Sequence, residues 1–431
     1  MGSNVYGLRL LAKPGVQRLA LGVLLGVVLL YRVLQIAVLT GQIQWGYDFS
    51  FYWTAAAHLL DGQPIYSAAQ LAGPYAPQGQ EGFLYPPPFA AALIPFAAVL
   101  SRDPRVVNWI WFALGLVILT ASVWSVARVE GLADRFAILR GRGAWWLVAG
   151  ALALPPVVAE LVLGNVHLEI LGLLALAWLG IRRRTRNGEV VAGAAIGVAT
   201  LVKVFPGLLI LWLILARRYR AAVAAVIAIA VIALATLPIT GIQPWLDYPT
   251  VLANLGAPSD TTDTLAPTVW LAPLLGFGLA RILITVAGLV LVAIVAIAAQ
   301  GRQSLAASYA TAVTASVLIA PAVYQHYLAI LVLPLLLGLA AGVRLRWLSL
   351  AYLLMWGGEQ PALGDLAWVV NKGLPTLGAL LLLGVLADAA LRPRSPTPSA
   401  ASGDQELLDG AGREGGLGHH GDPEERPAPA V

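Results

Sequence analysis

Long apolar segments are the feature that most limits what this chain can fold into. Residues 19–39, 106–127 and 221–237 each run for about twenty residues with few or no charges. A helix needs about 20 mainly apolar residues to cross the hydrocarbon core of a bilayer. Strands of a membrane barrel would instead alternate apolar and polar residues. The sequence therefore predicts an all-α, polytopic helical membrane protein with about 11 to 13 transmembrane helices.

The composition supports this fold class and excludes several kinds of chemistry. Hydrophobic residues make up 59% of the 431 residues and charged residues only 11%, whereas soluble domains carry about 25% charged residues. The chain has no cysteine, which excludes disulfides, thiolate metal sites and cysteine nucleophiles. No phosphate-binding loop, GxSxG, HExxH or dinucleotide fingerprint is present, so ATP-driven and metal-hydrolase chemistry have no support. We expect no nucleic-acid partner.

Basic residues predict the orientation, because cytoplasmic loops are enriched in lysine and arginine. Arg9, Lys13 and Arg18 precede the first apolar segment, which we interpret as a span rather than a cleaved signal. The clusters 182–186 and 217–220 should also be cytoplasmic. We therefore predict a multi-pass protein of the cell inner membrane with both termini in the cytoplasm.

Two segments do not fit a simple alternation of spans. About thirty apolar residues between the two arginine clusters are interrupted at Lys203, so we predict a helical hairpin or a broken helix with Lys203 at an outer tip or in a cavity. Counting both 89–100 and 106–127 as spans would place the arginines of 128–142 outside. One short segment is therefore predicted to be re-entrant.

The chain divides into a membrane domain and a polar tail. Residues 1–391 form the predicted transmembrane domain, with a first outer loop at 41–88 and a second outer region at 238–279. Residues 392–431 are rich in Pro, Gly, Ser and acidic residues, which predicts a disordered cytoplasmic tail. His419-His420 in this tail is interpreted as solvated rather than metal-bound.

Asp48 and Lys203 are the first two candidate functional residues. Asp48 follows the first span and begins a predicted juxtamembrane helix, 48–60, that ends at Asp61-Gly62. It could act as a general base at the outer face or as the helix N-cap, and both possibilities remain open. Lys203 could bind a lipid phosphate, or it could form an internal ion pair or extend to a helix end. Charged groups at membrane depth are costly and usually functional.

Four further residues are candidates for the same site as Asp48 and Lys203. His326 could bind phosphate or a sugar hydroxyl, or it could be an interfacial polar residue between tyrosines. Glu160 and His167 flank the turn at Gly164-Asn165, where they could line a cavity or cap the helices. Tyr85 precedes three prolines, a pattern that is more often structural than part of a binding site.

Several short motifs resemble those of glycosyltransferase family 87, the polyprenyl-phosphate-mannose-dependent mannosyltransferases of the GT-C fold. The motifs of its first outer loop correspond to Asp48-Phe49, Tyr52-Trp53, Leu60-Asp61-Gly62, Ile65-Tyr66 and Phe83-Leu84-Tyr85-Pro86-Pro87. The later motifs correspond, in order, to Gly164-Asn165-Val166-His167, Ala192-Gly193, Lys203 to Pro206 and Tyr324-Gln325-His326. Asn165, His167 and Tyr324 stand where the family has Gln, Asn and Trp. The resemblance covers roughly residues 20–345.

This resemblance implies an activity and a set of site residues. The enzyme would transfer a sugar, mannose in that family, from a polyprenyl-phosphate carrier to a hydroxyl of a lipid or glycolipid acceptor at the outer membrane face. Asp48 would be the base of an inverting transfer, and no cofactor or metal would be needed. The substrate-binding residues would be Lys203, His326, Tyr52, Tyr85, Glu160, Asn165 and His167. The carrier tail would lie between spans, in contact with membrane lipids.

Two other function classes remain open at this point. A transporter or flippase of a lipid-linked sugar precursor would also use broken helices and an intramembrane lysine. Transporters often contain two related halves, and no internal repeat is visible here. A membrane scaffold would not explain the presence of both Asp48 and Lys203.

Overall fold

A computed structural model describes residues 14–75, 82–100, 103–255, 264–301, 304–357 and 369–392. The predicted tail beyond Arg392 lies outside the described residues, as do Arg9 and Lys13. The first helices are α1 Pro14–Leu39, α2 Tyr47–Leu60, α3 Ala68–Ala72, α4 Pro87–Ala97, α5 Pro104–Val129, α6 Leu132–Arg135, α7 Trp145–Ala153, α8 Pro155–Leu163 and α9 His167–Arg183. They are followed by α10 Arg186–Val202, α11 Leu208–Leu215, α12 Tyr219–Thr240, α13 Gln243–Leu255, α14 Thr268–Leu275, α15 Phe277–Ala298, α16 Leu305–Leu318, α17 Val332–Ala340, α18 Leu345–Leu354 and α19 Leu374–Leu391. Short 3₁₀ segments occur at Ala137–Leu139, Gly141–Ala144, Phe205–Gly207 and Gln325–Leu331, and a π-helical turn at Val369–Gly373.

The described part of the chain is helical and contains several potential membrane spans, which confirms the predicted fold class. Helices α1, α5, α12, α15 and the segment Val369–Leu391 are long and apolar enough to cross a bilayer. Helices α7 and α8 together form a sixth span if their 72° bend lies within one crossing. This number is lower than the predicted 11 to 13, because several apolar segments form helices of only 10–17 residues.

Helix α4 is one of these short helices. It has 11 residues, which corresponds to about 16 Å, or half of the hydrocarbon core. Helix α5, by contrast, has 26 residues and can span. Their lengths support the interpretation that α4 is the re-entrant segment and that the two helices together make one crossing.

The chain is broken at Lys203, as the sequence predicts. Helix α10 ends at Val202, and Lys203 adopts an extended conformation with φ −153° and ψ 137°. Pro206 then sits in a 3₁₀ turn that leads into α11. A break of this kind leaves backbone groups unpaired and is tolerated in a membrane protein only where protein or a cavity surrounds it.

The two predicted outer regions contact each other. The Asn254 side-chain amide on α13 donates to the Gln70 carbonyl on α3 at 2.8 Å. The rings of Tyr66 and Tyr248 stack with their centroids 6.2 Å apart. Residues 256–263 of the second region lie outside the described residues. The contacts place both regions on the same side of the helical bundle.

Arg32 lies within α1, about two turns before its end, where a charge would be costly in lipid. The residue is 8% exposed, and its guanidinium donates to the Ala153 carbonyl at 3.2 Å and to Gln35 at 2.8 Å. Helix α7 ends at Ala153, so this carbonyl lacks a helical partner. Arg32 therefore pairs with a backbone carbonyl that is left free at the break between α7 and α8. The sequence analysis did not predict this structural role.

Helices α10 and α12 pack closely through glycines. A methyl group on Gly193 would overlap the Ala221 carbonyl oxygen, and one on Gly197 would overlap that of Ala225. The same four-residue step on both helices shows that they run parallel. Small residues at such interfaces allow the two backbones to approach, which is how helices associate in membranes.

We expect Gly193→Ala to destabilise the protein by about 1–3 kcal/mol, because the α10 and α12 backbones must separate to admit the methyl group. The matched control is Gly384→Ala in α19, where a methyl group would meet no atom within 4 Å. That substitution should be neutral or stabilising, since alanine favours helix more than glycine does. Thermal unfolding in detergent measures both, and equal transition temperatures would contradict the packing argument.

Candidate active site

Residues that are far apart in the sequence meet around the turn between α8 and α9. Side chains from α2, the segment before α4, α8, the turn, α9, the break after α10 and the 3₁₀ segment Gln325–Leu331 form one connected network. The eight residues predicted as site residues are all members of it: Asp48, Tyr52, Tyr85, Glu160, Asn165, His167, Lys203 and His326. Their functional roles stay predictions, but their proximity is a structural fact.

Asp48 is brought to this turn by two glycines. Gly46 precedes α2 in a left-handed conformation, and its N–H donates to the Val162 carbonyl of α8 at 2.8 Å. Gly164 ends α8 in the same conformation, and a methyl group there would overlap the side chain of Asn108. Gly46 is the N-cap of α2, and Asp48 lies in the first turn. The alternative that Asp48 is the N-cap is therefore wrong.

Asn165 holds the Asp48 carboxylate. Its side-chain Nδ2 donates to Asp48 Oδ2 at 2.7 Å and lies 3.1 Å from Nε2 of His326. Its Oδ1 accepts from the Tyr85 hydroxyl at 3.2 Å and from the Val166 N–H at 2.7 Å. Because all four hydrogen-bonding positions of the amide are used, its orientation is determined, with the donor side facing the carboxylate.

Three tyrosines support the other side of Asn165. The Tyr52 hydroxyl donates to that of Tyr85 at 2.7 Å, and both side chains are buried. The Tyr66 hydroxyl donates to the Tyr85 backbone carbonyl at 2.6 Å. Burial raises the pKa of the Tyr66 hydroxyl, so that this donor stays protonated. Tyr85 is thus fixed at both its backbone and its side chain.

Lys203 faces the same cluster from the break after α10. Its ammonium lies 3.4 Å from the Tyr85 hydroxyl and 3.8 Å from the centre of the Tyr327 ring. The face of an aromatic ring attracts a cation. These contacts hold a positive charge on one side of Tyr85, while Asp48 lies on the other side, beyond Asn165.

Glu160 and His167 form a buried pair behind Lys203. Glu160 accepts from the His167 backbone N–H and lies 2.9 Å from its Nδ1. The tautomer with its proton on Nδ1 donates to this carboxylate and leaves Nε2 as an acceptor. Nε2 lies 3.1 Å from the Lys203 ammonium. The pair therefore both caps α9, as one alternative predicted, and positions the lysine.

The side chains of the network differ in their exposure to the outside of the protein. The side chains of Asp48 and His326 are 19% and 10% exposed, whereas those of Glu160 and His167 are 1% and 0% exposed. Nε2 of His326 lies 3.8 Å from Asp48 Oδ2. Asp48 and His326 are therefore partly accessible from outside the protein, while the buried pair can act only through its neighbours.

Glu160, His167 and His326 could in principle hold a metal ion, because their ligand atoms lie within 4.8 Å of one another. In the structure, however, these atoms contact protein groups. Glu160 pairs with His167, and the Asn165 amide contacts Nε2 of His326. An ion on Nε2 of His167 would also have to displace the Lys203 ammonium. The expectation that no metal is needed stays a prediction.

Sequence analysis missed three residues of the site. Tyr327 carries the ring beneath Lys203, and its position next to His326 was the available signal. Asn108 on α5 lies against both glycines that position Asp48. The carboxylate oxygens of Glu169 on α9 are buried and have no hydrogen-bond partner among the described residues. An isolated polar residue in an apolar helix has no spacing that would identify it.

One comparison with known proteins found a match. The family model of glycosyltransferase family 87 matches residues 83–321, which is more than half of the chain. This range includes Tyr85, Glu160, Asn165, His167 and Lys203, whereas Asp48 lies before it. No curated protein and no solved structure matches the chain. The chain is a membrane glycosyltransferase that belongs to glycosyltransferase family 87.

Proposed function

We propose that this enzyme transfers mannose from a polyprenyl-phosphate carrier to a hydroxyl of a lipid or glycolipid acceptor, with Asp48 as general base. The proposal rests mainly on one observation. An accessible carboxylate and a cation are connected through two intervening side chains. Asp48 and Lys203 lie at opposite ends of a short chain of contacts that runs through Asn165 and Tyr85. Such an arrangement suits a reaction in which a proton leaves one reactant and negative charge develops on another.

The reaction proceeds as one displacement at the anomeric carbon. The acceptor oxygen forms a bond to this carbon as the bond to the phosphate oxygen breaks, and the acceptor proton passes to Asp48. The carrier phosphate leaves with the bonding electrons. Lys203 stabilises the charge that develops on it, and His326, 3.8 Å from Asp48, contacts the acceptor side. Attack from the face opposite the phosphate inverts the anomeric configuration.

The arrangement of the helices supports a site on the outer membrane face. Helix α9 begins at the site with His167 and ends at the cluster 182–186, and α10 returns from that cluster to Lys203. Helix α10 has 17 residues, so the site and the arginines are separated by about 24 Å along the helix. Since arginines favour the cytoplasmic side, the site belongs to the opposite side. The substrates would be lipid-linked and would reach it from the bilayer.

A donor comparison with the full-length enzyme in lipid nanodiscs tests the proposal. We expect sugar transfer from polyprenyl-phosphate-mannose to a membrane lipid extract, and little from polyprenyl-phosphate-glucose, polyprenyl-phosphate-arabinose or GDP-mannose. A chelator should leave the rate unchanged, and NMR of the product should show the inverted anomer. Transfer from the nucleotide sugar alone would overturn the proposed donor class, and preference for another lipid-linked sugar would overturn mannose only. Movement of the lipid-linked sugar across vesicles without transfer would favour a flippase.

A further inference from the structure

An open groove lies between α10 and α12. It has a volume of about 720 Å³, within the range of about 300–1,000 Å³ typical of ligand pockets. Val190 and Ala194 line it on α10, and Ile227 and Val231 line it on α12. The close packing of the two helices at Gly193 and Gly197 leaves this shallow channel beside them.

The groove faces the bilayer rather than the protein interior. Only 17% of the most apolar part of α12 is buried within the protein, and Val190, Ile227 and Val231 are more than half exposed. From Arg220 to Val231 the helix rises about 16 Å, which is close to half of a hydrocarbon core of about 30 Å. The length of the groove therefore matches an acyl chain from one leaflet.

One end of the groove is strongly basic. Arg186 and Arg220 line it there, together with the exposed ring of Tyr219. Neither arginine side chain has a hydrogen bond or ion pair with another described residue, and the neighbouring acid, Glu189, is paired with Arg218. Helices α10 and α12 are parallel and both begin at this end, so their N-terminal dipoles add to the positive potential.

We propose that this groove binds an anionic phospholipid, with one acyl chain along the apolar channel and the phosphate between Arg186 and Arg220. A zwitterionic lipid could occupy the same channel but would gain less from the two arginines. Basic pockets between transmembrane helices on the arginine-rich side are suited to anionic headgroups. The site lies at the opposite end of α10 from Lys203, so this binding does not depend on the proposed reaction.

Native mass spectrometry of the full-length protein in detergent, titrated with phosphatidylglycerol or phosphatidylcholine, tests the proposal. The wild type should bind phosphatidylglycerol more tightly, and Arg186→Gln with Arg220→Gln should weaken it at least about fivefold, since each arginine near a lipid headgroup contributes about that factor. Phosphatidylcholine binding should be unchanged. Arg344→Gln with Arg346→Gln, which removes two exposed arginines at the start of α18, is the charge-matched control and should retain the preference.

A second pair of variants tests the acyl channel without changing charge. Ala194→Phe places a ring in the groove and should weaken phosphatidylglycerol binding, whereas Ala235→Phe on an exposed part of α12 should not. Thermal unfolding confirms that each variant is folded. Equal affinity of the wild type for both lipids would overturn the proposal. So would an unchanged preference in the double arginine variant.

Discussion

Asp48→Asn is expected to abolish sugar transfer while the protein stays folded. An asparagine has nearly the same shape and can still accept the hydrogen bond that Asn165 donates at 2.7 Å, but it cannot take a proton from the acceptor. A positioned general base typically contributes about 10²- to 10⁴-fold to the rate. We therefore expect the turnover of the variant to fall by at least about 100-fold, measured with labelled donor in nanodiscs.

Asp61→Asn is the matched control for this variant. Asp61 is an exposed acid at the other end of the same helix, α2. This substitution removes the same charge, but at a residue outside the network of site residues. It should retain wild-type turnover and the same unfolding temperature. If Asp48→Asn keeps more than a tenth of the wild-type turnover, Asp48 is not the base.

Lys203→Met is expected to lower kcat/KM roughly 10- to 100-fold, because a hydrogen bond to a charged group is worth about 1.5–3 kcal/mol. The proposed role of Lys203 is to hold the carrier phosphate. Inhibition by polyprenyl phosphate without a sugar should therefore weaken by a similar factor. Asp48→Asn should leave this inhibition almost unchanged, since the carboxylate does not bind the phosphate.

Lys372→Met, in the π-helical turn before α19, is the matched control and should behave like the wild type in both assays. Removing Lys203 also takes a partner from Tyr85 and from the Glu160–His167 pair, so a small decrease in unfolding temperature is expected. A variant that loses turnover but binds polyprenyl phosphate as tightly as the wild type would contradict the phosphate role.

Much of the fold follows directly from local sequence. Apolar segments of sufficient length must form helices in lipid, because every backbone group has to be paired within the segment. The proline at 206 and the bend at Pro155-Pro156 also act locally, since proline cannot continue a helix hydrogen-bond pattern. The sequence was a poorer guide to the number of spans, because a short apolar helix such as α4 can turn back instead of crossing.

Family motifs and isolated polar residues pointed to the eight residues that meet at the turn between α8 and α9, but not to the contacts that join them. Sequence order indicated that Asp48, Asn165 and His326 belong together, without saying that one amide contacts both the carboxylate and the imidazole. These partners are 117 and 161 residues apart in the chain. Spacing along a helix or strand carries no information at such separations.

The sequence by itself determined that this is a helical membrane protein and identified Lys203 as a charge too costly to lie in an apolar segment without a role. Only the tertiary structure shows which of the polar site residues are accessible and which are buried. It places Asp48 where a substrate can reach it and buries Glu160 behind His167 and Lys203, although both are carboxylates near helix ends. It also shows Arg32 pairing with a carbonyl at a helix break and Arg186 lining an open groove between α10 and α12. The physical reason is that burial and hydrogen bonding depend on neighbours from other helices, which are set only when the chain packs.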